Sequence, residues 1–343
     1  MPNRHPAACR TLLSLSLLGS FCSLAAAQSS VTVFGVLDVG VQRLSNGPKS
    51  VTLQSIDGLQ TSRLGFRGVE DLGDGLTASF HLEGAVGPDT GAGYDFRRRS
   101  TVSLTSPRLG EVRLGRDYTP TFWNISRFNA FGTNGVGAAS NLIYGFDGSS
   151  GTASTIVRSN NSIGYFLPGG LGGLYGQAMV AAGEGAPGKY IGARLGYAAG
   201  PLDVAGSISD TENNVAGDKF RVTSLGATYA LGDAKLMALL HNSKQTTREQ
   251  KNWVLGGTYA FGVTTLRASY VHSAFSNSAN AADYTGRLIA VGVVHALSKR
   301  TSLYATTSKV SNSATGKFVI PGGNTVAAGQ GSRGTEFGIY HTF

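Results

Sequence analysis

One pattern runs through most of the chain. Segments of about ten residues alternate apolar and polar side chains, and each ends in a cluster of Gly, Asn, Asp or Ser. In "GLTASFHLEG", Leu76, Ala78, Phe80 and Leu82 oppose Thr77, Ser79, His81 and Glu83. In "KYIGARLGYAAG", Ile191, Ala193, Leu195 and Tyr197 oppose Gly192, Arg194 and Gly196, and in "TTLRASYVH" Leu266, Ala268 and Tyr270 oppose Thr265, Arg267 and Ser269. "SVTVFGVLDVGVQ" puts Val31, Val33, Leu37, Val39 and Val41 on one face and Thr32, Asp38 and Gln42, with Phe34 and Val36, on the other. Successive side chains of a strand point to opposite faces, so a period of two makes each segment a strand with one apolar and one polar face. Helical periodicity is scarcely visible, and the class is all-β.

A soluble sandwich also alternates, but with strands of about five or six residues and large aliphatics turned to a shared core. Here the apolar faces mix Ala, Gly and aromatics, and Tyr and Phe recur near strand ends, as an interfacial girdle requires. Only 14% of residues are charged and 49 are glycine. No apolar stretch after the first 27 residues approaches the ~20 that a spanning helix needs. The same texture runs from Ser29 to Phe343 with no linker, and "LGATYALG" at Leu225 returns as "LGGTYAFG" at Leu255. The expectation is one transmembrane antiparallel β-barrel.

The first residues fit that placement. Arg4 and Arg10, an apolar run from Leu12 to Leu24 and Ala25-Ala26-Ala27 before Gln28 make a secretory leader over residues 1–27, which leaves 28–343 as the barrel. Cys9 and Cys22 leave with it, so the exported chain is expected to carry no disulfide, thiolate nucleophile or Cys-bound metal. Losing Arg4 and Arg10 leaves 27 basic against 20 acidic residues, a net charge of about +7 that suits an anion pathway as well as nucleic acid or a membrane surface. Phe337, Ile339, His341 and Phe343 alternate along the last segment, and the terminal Phe343 resembles the assembly signal of outer-membrane barrels.

The resemblance then becomes specific. "SSVTVFGVLDVGV" from Ser29, "SRLGFRGVEDLGDGLTASFHLE" from Ser62, "FRRRSTVSLTSPRLGEVRLGRDYTP" from Phe96 and "ALSKRTSLYA" from Ala296, in that order, resemble the general porins of β-proteobacterial type. The chain departs from the usual pattern at His295, where a tyrosine is customary. The resemblance implies sixteen antiparallel strands, a homotrimer in the outer membrane in contact with lipid and lipopolysaccharide, and passive passage of small hydrophilic solutes and anions. It also implies a third loop folded into the lumen, expected over about 118–155. Of the 316 residues after the leader, sixteen strands of about ten use roughly 160, leaving the rest for eight short turns and eight longer loops.

Strand parity assigns the polar side chains. Val102 and Leu104 point outward, so Arg97, Arg99, Thr101 and Ser103 face the lumen and Arg98 falls on the outer parity. Leu64 and Phe66 send Arg63 and Arg67 inward, and Ile163 and Tyr165 leave Arg158, Asn160 and Ser162 inside. An arginine facing lipid at the bilayer midplane costs about 2–4 kcal/mol, which favours a shared aqueous wall. Asp38, Glu83, Asp117 and Asp147 are expected as acidic groups of the constriction, facing that arginine ladder.

The residues point away from other chemistry. The carboxylates fit a transverse field better than acid/base pairs, and the histidines show no metal-ligand spacing. "GVGAAS" within 118–155 has no strand-loop-helix context for a phosphate, and "DLGDG" lacks the ligand spacing of a calcium loop. No cofactor, metal, nucleic-acid partner or enzymatic activity is expected. Two other functions compete with the general channel. A channel specific for a sugar or organic anion would carry an aromatic slide, whereas the inward positions are mainly Arg, Thr and Ser. An outer-membrane hydrolase would need a Ser/His pair on adjoining strands.

Overall fold

The computed structural model describes residues 30–93, 95–146, 155–184, 189–212 and 218–343. The expected leader with both cysteines, and Asp147, lie outside the described residues. The strands are β1 (Ser30–Asn46), β2 (Lys49–Ser55), β3 (Arg63–Gly73), β4 (Leu76–Ala85), β5 (Arg99–Ser106) and β6 (Gly110–Tyr118). After them come β7 (Arg158–Phe166), β8 (Leu174–Ala181), β9 (Lys189–Ala199), β10 (Leu202–Glu212), β11 (Lys219–Leu231) and β12 (Ala234–Gln245). The last are β13 (Arg248–Phe261), β14 (Thr264–Asn277), β15 (Ala282–Ala296), β16 (Thr301–Asn312) and β17 (Ser332–Thr342).

Apart from β2 and β3, consecutive strands pair antiparallel, and β17 closes the ring on β1, from Val36 opposite Thr342 to Asn46 opposite Ser332. Closure removes the unpaired edges that an open sheet would expose. Seventeen segments make sixteen wall strands, because β2 pairs with Gly40–Asn46 of β1 while β3 pairs with its Ser30–Val36 half. With Ser30 and Thr342, the outer ends of β1 and β17, at one end of the barrel, that end carries seven turns rather than the eight expected, opposite eight loops. The seam runs to the last residue. Gly35 N–H donates to Phe343 O at 3.0 Å and Phe343 N–H to Gly35 O at 3.2 Å. The ring of Phe343 takes the space above Gly35, where an added Cβ would lie 2.3 Å from it.

The alternation holds around the wall. Ile191, Leu195 and Tyr197 are exposed on β9 while Tyr190, Gly192, Arg194 and Gly196 are buried, and Val102 and Leu104 of β5 are exposed between buried Thr101 and Ser103. A continuous exposed apolar belt of this kind is unfavourable in water and favourable in lipid.

The interior departs from a polar lining. Val222, Leu239, Val254, Val271, Leu288 and Val310 sit on the inward parity of β11–β16 and are fully buried. They share one apolar cluster with Ile125, Phe128, Phe131, Val136, Leu142 and Ile143 from the β6–β7 connection, and with Phe318 and Ile320 from the β16–β17 connection. Among the described residues, two short helices shape the first of these connections. The helix α1 (Pro120–Arg127) has its proline in the first turn, where a missing N–H costs nothing, and packs on β8–β12. The four-residue α2 (Ser140–Ile143) packs on β14.

Candidate functional site

The internal segments take the side of the barrel formed by β8–β17, and polar contacts fix the β6–β7 connection there. Asn124 Nδ2 donates to Ala205 O and Ser224 Oγ, both at 3.0 Å, while Asn124 Oδ1 accepts from Arg194 Nε at 2.5 Å. Gln250 Nε2 donates to Leu142 O at 2.9 Å. Val136 N–H donates to Glu336 Oε1 at 3.2 Å, and Ser308 Oγ donates to Val136 O at 2.6 Å. Gly135 next to it has φ +78, and an added Cβ would lie 2.3 Å from Gly58 O, so the chain passes there only without a side chain. Burial pushes the Tyr144 phenol of this connection up from its ordinary pKa.

The inward face of β3–β7 carries the arginines, arranged around buried acids. Glu83, 7% exposed, meets Arg98 Nε at 2.6 Å, His81 Nε2 at 3.4 Å and Arg63 Nε at 3.7 Å. Asp117, 1% exposed, meets Arg113 Nη1 at 2.6 Å and Arg99 Nε at 3.3 Å. Arg113 also reaches Glu111 at 2.8 Å, and Arg99 Nη1 lies 3.5 Å from His81 Nδ1, which joins the two clusters. Tyr118 OH accepts from Arg98 at 2.9 Å and from Arg158 at 2.8 Å, and the Arg158 guanidinium lies 4.4 Å from the Tyr118 ring centre. Arg67 lies over Phe34 at 5.4 Å. Carboxylates this deep persist as charges only when paired, and each is overlaid by guanidinium groups. Arg63, Arg67, Arg98, Arg99, Arg113 and Arg158 outnumber Glu83, Glu111 and Asp117 on this wall by three, with Asp57 of the adjoining 56–62 bend within electrostatic reach of Arg98.

Several residues stand elsewhere than parity placed them. Since β5 begins at Arg99, alternation says nothing about the two residues before it. Arg97 is 84% exposed and pairs with Asp95 at 2.5 Å, while Arg98 turns in to Glu83 instead of outward. The Arg97 backbone N–H and side chain hold the Asp95 carboxyl below its usual range. In β7, Asn161 takes φ 52 and the pairing with β6 shifts register, so Ser159 and Ser162 are both buried and Asn160 is exposed, bonded by Arg116. Asp38 is 0% exposed and is no lumenal charge. Its Oδ2 accepts from Leu59 N–H at 2.6 Å and Gln60 N–H at 2.9 Å, and its Oδ1 accepts from Tyr304 OH at 2.6 Å. It fastens the bend at 56–62 that separates β2 from β3. Two further site residues, Arg113 and Glu111, follow from the same parity, since Val112 and Leu114 face out in "GEVRLGRDY" and leave both inside.

Comparison with known proteins places this geometry. Residues 14–315 match the pattern of the Gram-negative porin family. The outer membrane porin protein 32 of Delftia acidovorans is 34% identical, over 97% of this chain and 99% of its own length. The major outer membrane protein P.IB of Neisseria meningitidis serogroup B is 26% identical, over 81% of this chain and 86% of its own. Among solved structures, the anion-selective porin from Comamonas acidovorans superposes with a TM-score of 0.83 at 32% identity, covering 92% of this chain and 100% of that one. A closed sixteen-strand barrel, an arginine-rich inner wall and a family match across most of the sequence agree, and the chain belongs to the Gram-negative porins.

Proposed function

We propose that this porin is an anion-preferring diffusion channel of the outer membrane, with the β6–β7 connection as its constriction and the β3–β7 arginines as its selectivity wall. The observation that carries the reading is the surplus of guanidinium groups over carboxylates on one inward face. In a channel walled by low-dielectric material, same-sign charges concentrate counter-ions. Arginine keeps its charge across physiological pH, and its planar fork passes a carboxylate or phosphate from one site to the next. The anion-selective character of the Comamonas relative, at 32% identity, supports the same choice here. We read the protein as a channel rather than an enzyme, exported with loss of residues 1–27 and assembled as a homotrimer that covers part of the exposed apolar wall. Its other partners are membrane lipid and lipopolysaccharide.

The test is a planar-bilayer reversal potential under a potassium chloride gradient. The parent is expected to favour chloride, and replacing Arg63, Arg99 and Arg158 together with glutamine is expected to move the potential toward potassium. A triple variant with the selectivity of the parent overturns the assignment of the wall.

A further inference from the structure

Two arginines of the inner wall converge on one uncharged atom. Tyr118 OH accepts from Arg98 Nη2 at 2.9 Å and from Arg158 Nη2 at 2.8 Å, so these two nitrogens cannot stand farther apart than the sum of those lengths. Like charges that close repel each other, and long side chains without a fixed acceptor separate into solvent. The two cations also differ in what else holds them. Arg98, just before β5, has a carboxylate of its own, with its Nε 2.6 Å from Glu83. Arg158, the first residue of β7, has no carboxylate partner among the described residues: its Nε donates to Arg98 O at 2.7 Å, and the rest of its guanidinium belongs to Tyr118. Tyr118 ends β6 as the direct cross-strand partner of Arg158, which brings the ring centre to 4.4 Å from that guanidinium. The negative face of an aromatic ring favours a cation held over it.

The same ring belongs to the constriction. Tyr118 stacks on Phe122 of α1, with centroids 4.6 Å apart and planes 14° from parallel, and meets Trp123 edge-on at 5.5 Å. Phe122 is buried, and the next turn of its helix is tied to the opposite wall through Asn124, which donates to Ala205 O and Ser224 Oγ. A shift of α1 therefore displaces the Tyr118 ring, and the ring carries both guanidinium groups with it. A packed stack passes on such a shift because its members have no free volume in which to absorb it.

We propose that Tyr118 is a positioning residue for anion selectivity: its hydroxyl fixes the spacing of Arg98 and Arg158, and its ring couples that spacing to the seat of the β6–β7 connection. The proposal rests on the channel reading above. The test compares reversal potentials under a potassium chloride gradient, and single-channel noise, for the parent, Tyr118→Phe, Phe122→Leu, Arg158→Gln and the double variant Tyr118→Phe, Arg158→Gln. Heat-modifiable migration on gels verifies that each barrel is folded. Tyr118→Phe keeps the ring and its contacts and removes only the shared acceptor. Its chloride-to-potassium permeability ratio is expected to fall roughly twofold, because two wall guanidiniums lose the fixed place on which focusing of the field depends. Phe122→Leu keeps the hydroxyl and removes the stack, so a smaller fall is expected together with noisier current. In the double variant the two losses are expected to be less than additive, since residues acting through one contact couple. A tyrosine that merely fills space is rescued by phenylalanine, so a parental ratio in Tyr118→Phe overturns the proposal, as does strict additivity in the double variant. Parental ratio and noise in Phe122→Leu overturn the coupling to the connection. A parent with no chloride preference removes the channel reading and the positioning role together, whereas a chloride-selective parent with an unchanged Tyr118→Phe removes only the latter.

Discussion

Arg97, Arg98 and Arg99 follow one another in sequence and meet three different surroundings. Arg97 stands in solvent with Asp95, Arg98 lies between Glu83 and Tyr118, and Arg99 reaches Asp117 from the first residue of β5. Exposed pairs are screened and contribute little, whereas a charge held at the wall of a narrow lumen shapes its field. Arg98→Gln is therefore expected to reduce anion preference as much as Arg99→Gln does, and Arg97→Gln much less. Reversal potentials of the three single variants check this, and an Arg97 effect larger than that of Arg98 refutes it. Gly135 is the second sensitive position. An alanine there meets a left-handed backbone, costing about 1–2 kcal/mol, as well as the carbonyl of Gly58. The Gly135→Ala channel is expected to be noisier and to conduct more as the seat of the β6–β7 connection loosens, and single-channel records identical to the parent's would argue that this seat does not govern the constriction.

At the scale of elements, the barrel depends on its seam. The β1–β17 pairing reaches the chain end through the two hydrogen bonds between Gly35 and Phe343, and the terminal ring caps the outer face there. Deleting Phe343 removes both bonds and that ring, so the folded, heat-modifiable fraction recovered from outer membranes is expected to fall several-fold. Recovery equal to the parent's refutes a role for this residue in assembly. The break between β2 and β3 is a contrasting element. A seven-residue bend interrupts one wall strand, and the buried Asp38 carboxylate satisfies two of its N–H groups.

For the whole molecule, the asymmetry of the lumen matters most. One side is filled by apolar packing between the wall and the internal segments, with Arg194 and Arg267 embedded in it, and the other carries the larger arginine cluster with its three surplus charges. Selectivity built on such a field weakens with salt, because the Debye length falls from about 10 Å at 0.1 M to about 3 Å at 1 M. The chloride-to-potassium permeability ratio is expected to decline toward unity over that range. A ratio that holds constant points instead to ions bound one at a time in dehydrated sites.

What the sequence determined by itself was local. Alternation is a steric property of each strand, so it marked the faces of β5, β9 and most of the wall, and it turned Arg63, Arg99 and Glu83 inward without reference to any neighbour. Where a strand begins, or gains a residue, depends on pairing with another strand, and so Arg98 and Asn160 fell outside its reach. The apolar interior of β11–β16 was hidden for a related reason: periodicity tells which face a valine occupies but not what covers it. That cover comes from contacts as remote as Val136 with Glu336, two hundred residues apart, and a pattern with a period of two has no means of encoding them.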